Sequence, residues 1–452
     1  MSRLGRYVVK NIPLLLALST PFLTLMLFPG RIFSIDFETF SIWAKCLTEF
    51  KGPPFNECSP QIINYPTIGL YSSAGAIKML QSYGLQGSDL QRFFQVYLGA
   101  LDALSMLLMY LLLRGLRISH AGWATLIFAL LPSTRVGANL WGQIDGVTQL
   151  SLSASMLFGL RCLTAIDRSK AATALRYFLA LSLAITCAVL TKQLAVFTLP
   201  AVASLWLLCA ARLRKLTSTT TLCACLTCVV AGFVVIDQLF PAPPGYYGSG
   251  LIYVFMRGSN HAGTVQAMGT NLFALLPIPG HEPSTWAYPI FTLGGATAKV
   301  IPLYFGQFVF FFAMAVFMYY GVIVLRRLCP LDPTGAVLAA LAMAATVNLF
   351  MNTALAGTHE RYLYHYGFFL YPLLLAFVHM RGVSWALSTL CITHLCVYGC
   401  FVFRILIFDL QSPVTWYAQR AVALGNIMCS LIILLLVRRA ARRHAHEQIM
   451  NR

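Results

Sequence analysis

The chain has 452 residues, of which 58% are hydrophobic and 10% are charged, and its mean hydropathy is +0.73. Soluble globular chains carry about 25% charged residues, so this composition excludes a set of soluble domains and indicates a polytopic membrane protein. The formal net charge of +18 comes from small basic clusters between apolar runs. That pattern reports membrane topology and argues against a nucleic-acid-binding protein, which would carry its basic residues in one patch or stripe.

Twelve apolar runs reach the length of about 20 residues that a transmembrane helix needs. They lie at 11–30, 94–113, 118–136, 148–166, 174–191, 194–211, 217–239, 303–325, 334–354, 364–380, 384–407 and 420–437. The sequence therefore predicts an all-α polytopic membrane protein with about 12 transmembrane helices, and 11 to 13 fit the same pattern. Both ends of the chain are basic, which predicts that both are cytoplasmic. The first run is expected to be a retained span, because no small-residue cleavage site precedes Arg31.

Two long loops, 31–93 and 240–302, lie on the outward side of this topology, together with most of the acidic residues. Both loops contain tryptophan, tyrosine and apolar stretches, so we expect them to carry short interfacial helices. No separate globular domain is predicted, and 1–452 is taken as a single integral membrane domain. Cys46 and Cys58 lie in the first of these loops, where a disulfide and two free thiols are both open.

Asp36 and Glu38 stand in the stretch IDFETF, directly after the first apolar run. In an extended segment, residues two apart share a face, so the two carboxylates are expected to converge. The plain alternative is a pair of solvated loop acids. The aromatic neighbours favour a partly buried carboxylate, which needs a partner or a function. Asp36 is therefore the candidate catalytic base, and Glu38 is a candidate substrate-binding residue.

Two further outward stretches carry polar side chains. In INYPTIGLY, the proline pushes the preceding residue towards an extended backbone, so Asn64 and Tyr65 are expected on a rigid turn and are candidate substrate-binding residues. In NLWGQIDG, an interfacial turn would account for Trp141 and the glycines, but not for the whole group of polar side chains. Trp141, Gln143 and Asp145 are all candidate substrate-binding residues, and Asp145 is expected to bind a sugar hydroxyl or to hold a nearby cation.

Several outward cations complete the candidate site. Lys192 in the turn TKQ opposes the inward bias of lysines, and a snorkelling side chain is its plain alternative. Arg257 and His261 lie in the second long loop. The stretch GTHERYLYHYG brings a further charged cluster, for which a structural salt bridge is the alternative. That cluster consists of His359, Glu360 and Arg361, and an arginine with its planar fork suits phosphate.

Carboxylates, cations and aromatic residues at a membrane surface suit sugar transfer from a polyprenyl phosphate. The departing phosphate is weakly basic, so the reaction needs only a base for the acceptor hydroxyl and positive groups for the phosphate. Asp36 would be the base, while Arg361, His359 and Lys192 would hold the phosphate. A single displacement would invert the anomeric carbon. No metal or other cofactor is expected, because arginine and histidine can meet the phosphate charge.

The order DFETF, NYP and HER over residues 36 to 361 resembles the GT-C superfamily of membrane glycosyltransferases. The first loop is similar to that of glucosyltransferases that extend lipid-linked N-glycan precursors. The stretches WGQIDG and THERYLYHYG are closer to bacterial and GPI-pathway mannosyltransferases. The resemblance implies that Asp36 is the base and that His359, Glu360 and Arg361 serve the donor phosphate. It also implies a dolichyl- or polyprenyl-phosphate sugar as donor and a lipid-linked glycan or another hydroxyl as acceptor.

Two other classes of function are compatible with a polytopic chain. A transporter or flippase of a lipid-linked sugar should place ionisable residues in mid-span, where only Asp102 lies clearly. A non-catalytic scaffold would not need carboxylates and cations at one surface. The transferase is therefore preferred, acting on the periplasmic or lumenal side. A bacterial plasma membrane is the expected location, with the endoplasmic reticulum as the alternative.

Overall fold

A computed structural model of the protein describes most of the chain and divides it into two compact units, Met1–Gly258 and Ser259–Arg452. The described residues are 3–28, 34–49, 65–135, 140, 142–192, 194–239, 248–258, 271–276, 282–293, 296–328, 333–355, 363–379, 385–407 and 413–450. Cys58 lies outside these residues, as does the side chain of Cys46, so the disulfide question stays open.

The first unit consists of helices. They are α1 (Arg3–Leu27), α2 (Ser34–Glu49), α3 (Thr67–Leu70), α4 (Ala76–Ser82), α5 (Gly87–Gly115), α6 (Ala121–Leu130), α7 (Pro132–Arg135), α8 (Asp145–Asp167), α9 (Ala171–Thr191), α10 (Ala195–Leu213), α11 (Thr219–Gln238) and α12 (Gly250–Gly258). A π-helical turn, Tyr71–Gly75, joins α3 to α4. The apolar run predicted at 118–136 is interrupted after Leu130, because Pro132 follows and disfavours a helical backbone at the residue before it.

The centre of the first unit is α8, which packs against α5, α9 and α10, while α1 lies against α5 and α6. Close packing in this unit depends on small residues. A Cβ added to Gly159 of α8 would stand 2.3 Å from Cδ2 of Leu205 in α10, so these two helices approach as near as a glycine allows. Most of the polar residues of α8 are buried against its neighbours.

Among its described residues, the second unit contains five α-helices, a short 3₁₀ helix (Leu272–Leu275) and one hairpin. The helices are α13 (Pro302–Leu328), α14 (Pro333–Ala354), α15 (Tyr364–His379), α16 (Trp385–Ile407) and α17 (Pro413–Met450). Three of them begin with proline, whose fixed backbone suits a first helical position. The alanine-rich α14 is largely buried and packs against α13, α15 and α17. The interpretation as all-α is wrong in one respect, because β1 (Tyr288–Leu293) and β2 (Ala296–Val300) form an antiparallel hairpin with an irregularity between Pro289 and Phe291.

Seven of the described helices are long and apolar enough to cross a bilayer. They are α5, α8, α9, α10, α11, α14 and the part of α17 from Tyr417 to Leu436. Shorter apolar segments lie within α1, α6, α13 and α16. The chain is therefore a multi-pass membrane protein. The number of about twelve spans, the side on which each end lies and the single-domain organisation stay predictions.

Candidate functional site

Asp36 lies in the first turn of α2, not in an extended loop. A helix turns by about 100° per residue, so Asp36, Phe40 and Trp43 lie along one stripe, while Glu38 lies about 200° away from Asp36. Burial follows this geometry, because Phe40 and Trp43 are each 1% exposed, Asp36 is partly buried and Glu38 is exposed. The expected convergence of the two carboxylates is therefore wrong, and Asp36 is the one on the packed face.

The packed face of α2 meets an aromatic cluster around Tyr65. The Tyr65 ring centroid lies 5.9 Å from that of Phe40 and 5.3 Å from that of Trp43. The cluster also includes Ile144, directly before α8, and Tyr253 of α12. Aromatic pairs at these separations prefer tilted or edge-on geometries, as both pairs show here. One apolar cluster thus fixes the position of α2 relative to the start of α8.

Tyr65 and Gln143, both predicted substrate-binding residues, are in direct contact. Tyr65 occupies the turn before α3, and its hydroxyl donates a hydrogen bond of 2.5 Å to Oε1 of Gln143. Gln143 lies two residues before α8 and its side chain is fully buried. Pro66, directly after Tyr65, has an extended backbone at φ −62° and ψ 173°. Tyr65 therefore reaches Gln143 across 78 residues of sequence.

Lys192 and Asp145 form a buried ion pair beside this hydrogen bond. The Nζ atom of Lys192 lies 2.8 Å from Oδ1 of Asp145, and their side chains are 3% and 2% exposed. The same Nζ atom lies 5.2 Å from the Tyr65 ring centroid, which is a cation–π contact. The snorkelling alternative for Lys192 is thus excluded. Of the two roles expected for Asp145, holding a nearby cation is the one that the structure contains.

The ion pair lies where two helix ends meet. Asp145 is the first residue of α8, and Lys192 follows directly on α9, which packs along α8. A carboxylate is stabilised by the partial positive charge at a helix N-terminus, and an ammonium by the partial negative charge at a C-terminus. Gly69 of α3 brings the third element close, since a Cβ added there would stand 1.9 Å from the carbonyl oxygen of Thr191. Only a glycine fits this approach.

The helix α12 is held against the same cluster by an acidic cap. Asp237, near the end of α11, accepts hydrogen bonds from the backbone N–H groups of Gly250 at 3.1 Å and Leu251 at 2.8 Å. These are N–H groups of the first helical turn, which have no partner within a helix. Arg257 lies one turn after Tyr253 in α12, and its side chain is outside the described part of the structure.

Six of the predicted site residues lie outside the described residues, and the predictions for them stand as made. They are Asn64, Trp141, His261, His359, Glu360 and Arg361. Within the described part of the chain, no group of three or more histidine, cysteine or acidic side chains is arranged to hold a metal ion. The structure thus brings together Tyr65, Gln143, Asp145 and Lys192, with Asp36 on the helix packed against them.

Sequence reasoning missed two buried charged residues of the first unit. Arg135, at the end of α7, is 9% exposed, although the sequence counted it within an apolar run. An arginine at the predicted outward end of a span opposes the positive-inside bias, the same signal that singled out Lys192, and it would have found Arg135. Asp237 was not singled out from the sequence. Its capping role depends on the return of the chain ten or more residues later, for which the sequence carries no local signal.

No family model matches the sequence, and no curated protein does. Among solved structures, the chain is similar to the archaeal oligosaccharyltransferase AglB from Archaeoglobus fulgidus in complex with an inhibitory peptide and a dolichol-phosphate, with 14% identity and a TM-score of 0.40. That match covers 96% of this chain and 56% of the other. A second match, to the Archaeoglobus fulgidus oligosaccharyltransferase tethered to an acceptor peptide containing the NVT sequon, has the same identity and TM-score and covers 94% and 55%. The chain thus spans little more than half the length of the solved chains it matches.

Proposed function

We propose that this protein is an inverting glycosyltransferase of the GT-C type. It would move a hexose, mannose or glucose, from a polyprenyl- or dolichyl-phosphate donor to a lipid-linked or other hydroxyl acceptor at the outward membrane face. The observation that carries the proposal is the position of Asp36. It shares one stripe of α2 with Phe40 and Trp43, which pack on Tyr65, and Tyr65 in turn contacts Gln143 and Lys192.

In the proposed reaction, Asp36 accepts the proton of the acceptor hydroxyl as that oxygen attacks the anomeric carbon of the sugar. The bond between the anomeric carbon and the phosphate oxygen breaks, and the electron pair leaves with the lipid phosphate. Because the attack comes from the side opposite to the leaving group, the anomeric configuration inverts. Asp36 suits the role because it is partly buried, so it is held by the packing of α2 and still reachable.

The residues packed against the buried face of α2 fit a sugar substrate. Aromatic rings, an amide, a phenol and an ion pair occur together in Phe40, Trp43, Tyr65, Gln143 and the pair of Lys192 with Asp145. Binding sites for small molecules combine apolar walls with a few placed polar groups in this way. The assignment of His359, Glu360 and Arg361 to the donor phosphate remains part of the proposal.

The test is a transfer assay with purified protein and radiolabelled polyprenyl-phosphate mannose or glucose, offered with extracted membrane lipids as acceptors. Asp36→Asn keeps the size of the side chain and removes the base, so its kcat should fall by about 10²-fold or more. Asp89→Asn is the matched control, because Asp89 also lies in the first turn of a helix, α5, and is exposed. It should transfer sugar at the wild-type rate.

Three outcomes separate the alternatives. Loss of transfer in Asp36→Asn with an unchanged melting temperature supports the proposal. Equal transfer by Asp36→Asn and wild type would remove Asp36 as the base. If wild type transfers neither sugar but moves a labelled lipid-linked sugar across proteoliposome membranes, the protein is a flippase and the proposal fails. Glu38→Gln should have a smaller effect than Asp36→Asn, because Glu38 lies off the packed face of α2.

A further inference from the structure

We infer that Gln143 binds a hydroxyl group of the donor sugar through its amide N–H groups. We also infer that Lys192 holds Tyr65 in position instead of binding the donor phosphate. This inference rests on the proposed transferase function and adds the location of the sugar-binding subsite. It also revises the role of Lys192, which the sequence alone had placed among the cations for the phosphate.

The first step concerns the orientation of the Gln143 amide. The hydroxyl of Tyr65 donates a hydrogen bond to Oε1 of Gln143, so the amide oxygen is already engaged. The NH₂ group is then the part of the amide that is left to bind a ligand. Gln143 is fully buried, and its Nε2 atom has no hydrogen-bond partner among the described residues. A buried amide nitrogen with two unused N–H groups calls for an explanation, and an oxygen acceptor on a ligand supplies one.

The second step concerns charge. The ammonium of Lys192 is 2.8 Å from a carboxylate oxygen of Asp145, and both side chains are nearly without solvent contact. A phosphate placed on this lysine would have to compete with a carboxylate that is already in place and is itself at a helix N-terminus. Because the pair is neutral as a unit, its surroundings suit an uncharged polyol better than a phosphate. Sugar hydroxyls are such a ligand.

The third step concerns how Lys192 acts. Its Nζ atom lies over the ring of Tyr65, whose hydroxyl holds Gln143. Asp145 therefore fixes Lys192, Lys192 contacts the face of Tyr65, and Tyr65 fixes the Gln143 amide. In this chain of contacts Tyr65, Lys192 and Asp145 are positioning residues, and only Gln143 would contact the sugar.

The surroundings add further polar groups of the same kind. Nε1 of Trp43 and Oγ1 of Thr67 are buried without a hydrogen-bond partner in the described part of the chain. Trp43 contacts the ring of Tyr65, and Thr67 lies two residues after it. Aromatic rings beside several hydrogen-bond donors suit a sugar ring, which offers apolar C–H faces and hydroxyl edges.

The decisive variant is Gln143→Met. A methionine has a similar length, loses both N–H donors of the amide and adds no charge that would repel the phosphate of either lipid. Binding is measured by isothermal titration calorimetry in detergent, with polyprenyl phosphate and with polyprenyl-phosphate mannose and glucose. We expect wild type to bind one sugar-bearing lipid about tenfold more tightly than polyprenyl phosphate, since a site built to hydrogen-bond a hydroxyl discriminates against its absence. In Gln143→Met this preference should vanish, while the Kd for polyprenyl phosphate stays within about twofold of wild type.

The second variant is Tyr65→Phe, which keeps the ring under Lys192 and releases the Gln143 amide. It should raise the KM for the sugar donor and leave kcat nearly unchanged, whereas a purely structural role would lower the melting temperature instead. If Gln143→Met weakens the binding of both lipids equally, Gln143 binds the phosphate, and if it weakens neither, Gln143 is no ligand. Either result overturns the inference while sugar transfer by wild type keeps the proposed function. If wild type binds none of the lipids and transfers no sugar, both fail.

Discussion

Lys192 and Asp145 meet at a distance of 2.8 Å between Nζ and Oδ1, although 47 residues separate them in the sequence. The contact joins the last turn of α9 to the first turn of α8 and encloses both charges within the first unit. Its proximity to Tyr65 connects the packing of the two helices to the candidate site. The stability of this pair and the geometry of the site are therefore expected to change together.

Removing one partner of the ion pair should destabilise the protein strongly. Lys192→Met leaves the Asp145 carboxylate buried without its countercharge, which we expect to cost about 3–5 kcal/mol of unfolding free energy. The double variant Lys192→Met with Asp145→Leu removes both charges, so it should be more stable than Lys192→Met alone. Equilibrium unfolding in mixed micelles with increasing denaturing detergent measures these differences.

The control for this cycle is the partly exposed pair of Arg212 with Asp167, whose closest N–O distance is 3.5 Å. Arg212→Met should change the unfolding free energy by less than about 1 kcal/mol, because a solvent-accessible pair contributes little. If the changes in unfolding free energy caused by the Lys192 and Asp145 substitutions simply add in the double variant, the two side chains do not interact. That result would contradict the ion pair described above.

Gly69 should tolerate no side chain. In Gly69→Ala the new Cβ would stand 1.9 Å from the carbonyl oxygen of Thr191, the residue before Lys192. Since a backbone atom cannot move aside as a flexible side chain does, α3 or the end of α9 must shift. We expect a loss of about 1–3 kcal/mol in unfolding free energy, together with a lower transfer rate.

Gly232→Ala is the matched glycine control. Gly232 lies within α11, and nothing stands within 4 Å of a Cβ added there. Alanine favours a helix over glycine by up to about 1 kcal/mol, so this variant should be as stable as wild type or more stable. A Gly69→Ala protein with wild-type stability and activity would contradict the close approach of α3 to α9.

Asp237 should determine whether α12 stays folded against the aromatic cluster. Asp237→Ala removes both acceptors of the N–H groups of Gly250 and Leu251, which we expect to cost about 0.5–2 kcal/mol. Hydrogen exchange of the peptide 250–258, followed by mass spectrometry, should become faster in this variant. Asp237→Asn retains one acceptor oxygen, so its exchange rate at 250–258 should lie between those of wild type and Asp237→Ala.

Exchange elsewhere provides the control for this measurement. The peptide at the start of α8, which includes Asp145, belongs to a different helix and should keep its wild-type exchange in Asp237→Ala. Faster exchange at both peptides would indicate unfolding of the whole unit and not the loss of a cap. Unchanged exchange at 250–258 would show that Asp237 does not hold α12.

The amino-acid sequence by itself determined the class of protein and most of its helices. An apolar run of about 20 residues is unfavourable in water and matches the thickness of a bilayer when it is helical. The sequence also pointed to Tyr65, Gln143, Asp145 and Lys192, since each is a polar residue where a plain interfacial turn would not need one. It misjudged the stretch IDFETF. The aromatic residues Phe40 and Trp43 stand three apart, a helical spacing, but the acidic spacing of two was taken as extended.

Only the tertiary structure decided which charges are partners. Asp36 and Glu38 are two positions apart in the sequence and lie on different sides of α2, because a helix turns by about 100° per residue. Lys192 and Asp145 are distant in the sequence and in contact in space, because α8 and α9 pack along each other. A pattern of residue types indicates which side chains are unusual at their positions in the sequence. Which charges neutralise each other depends on which helix ends meet, and the packing of the whole unit fixes those meeting points.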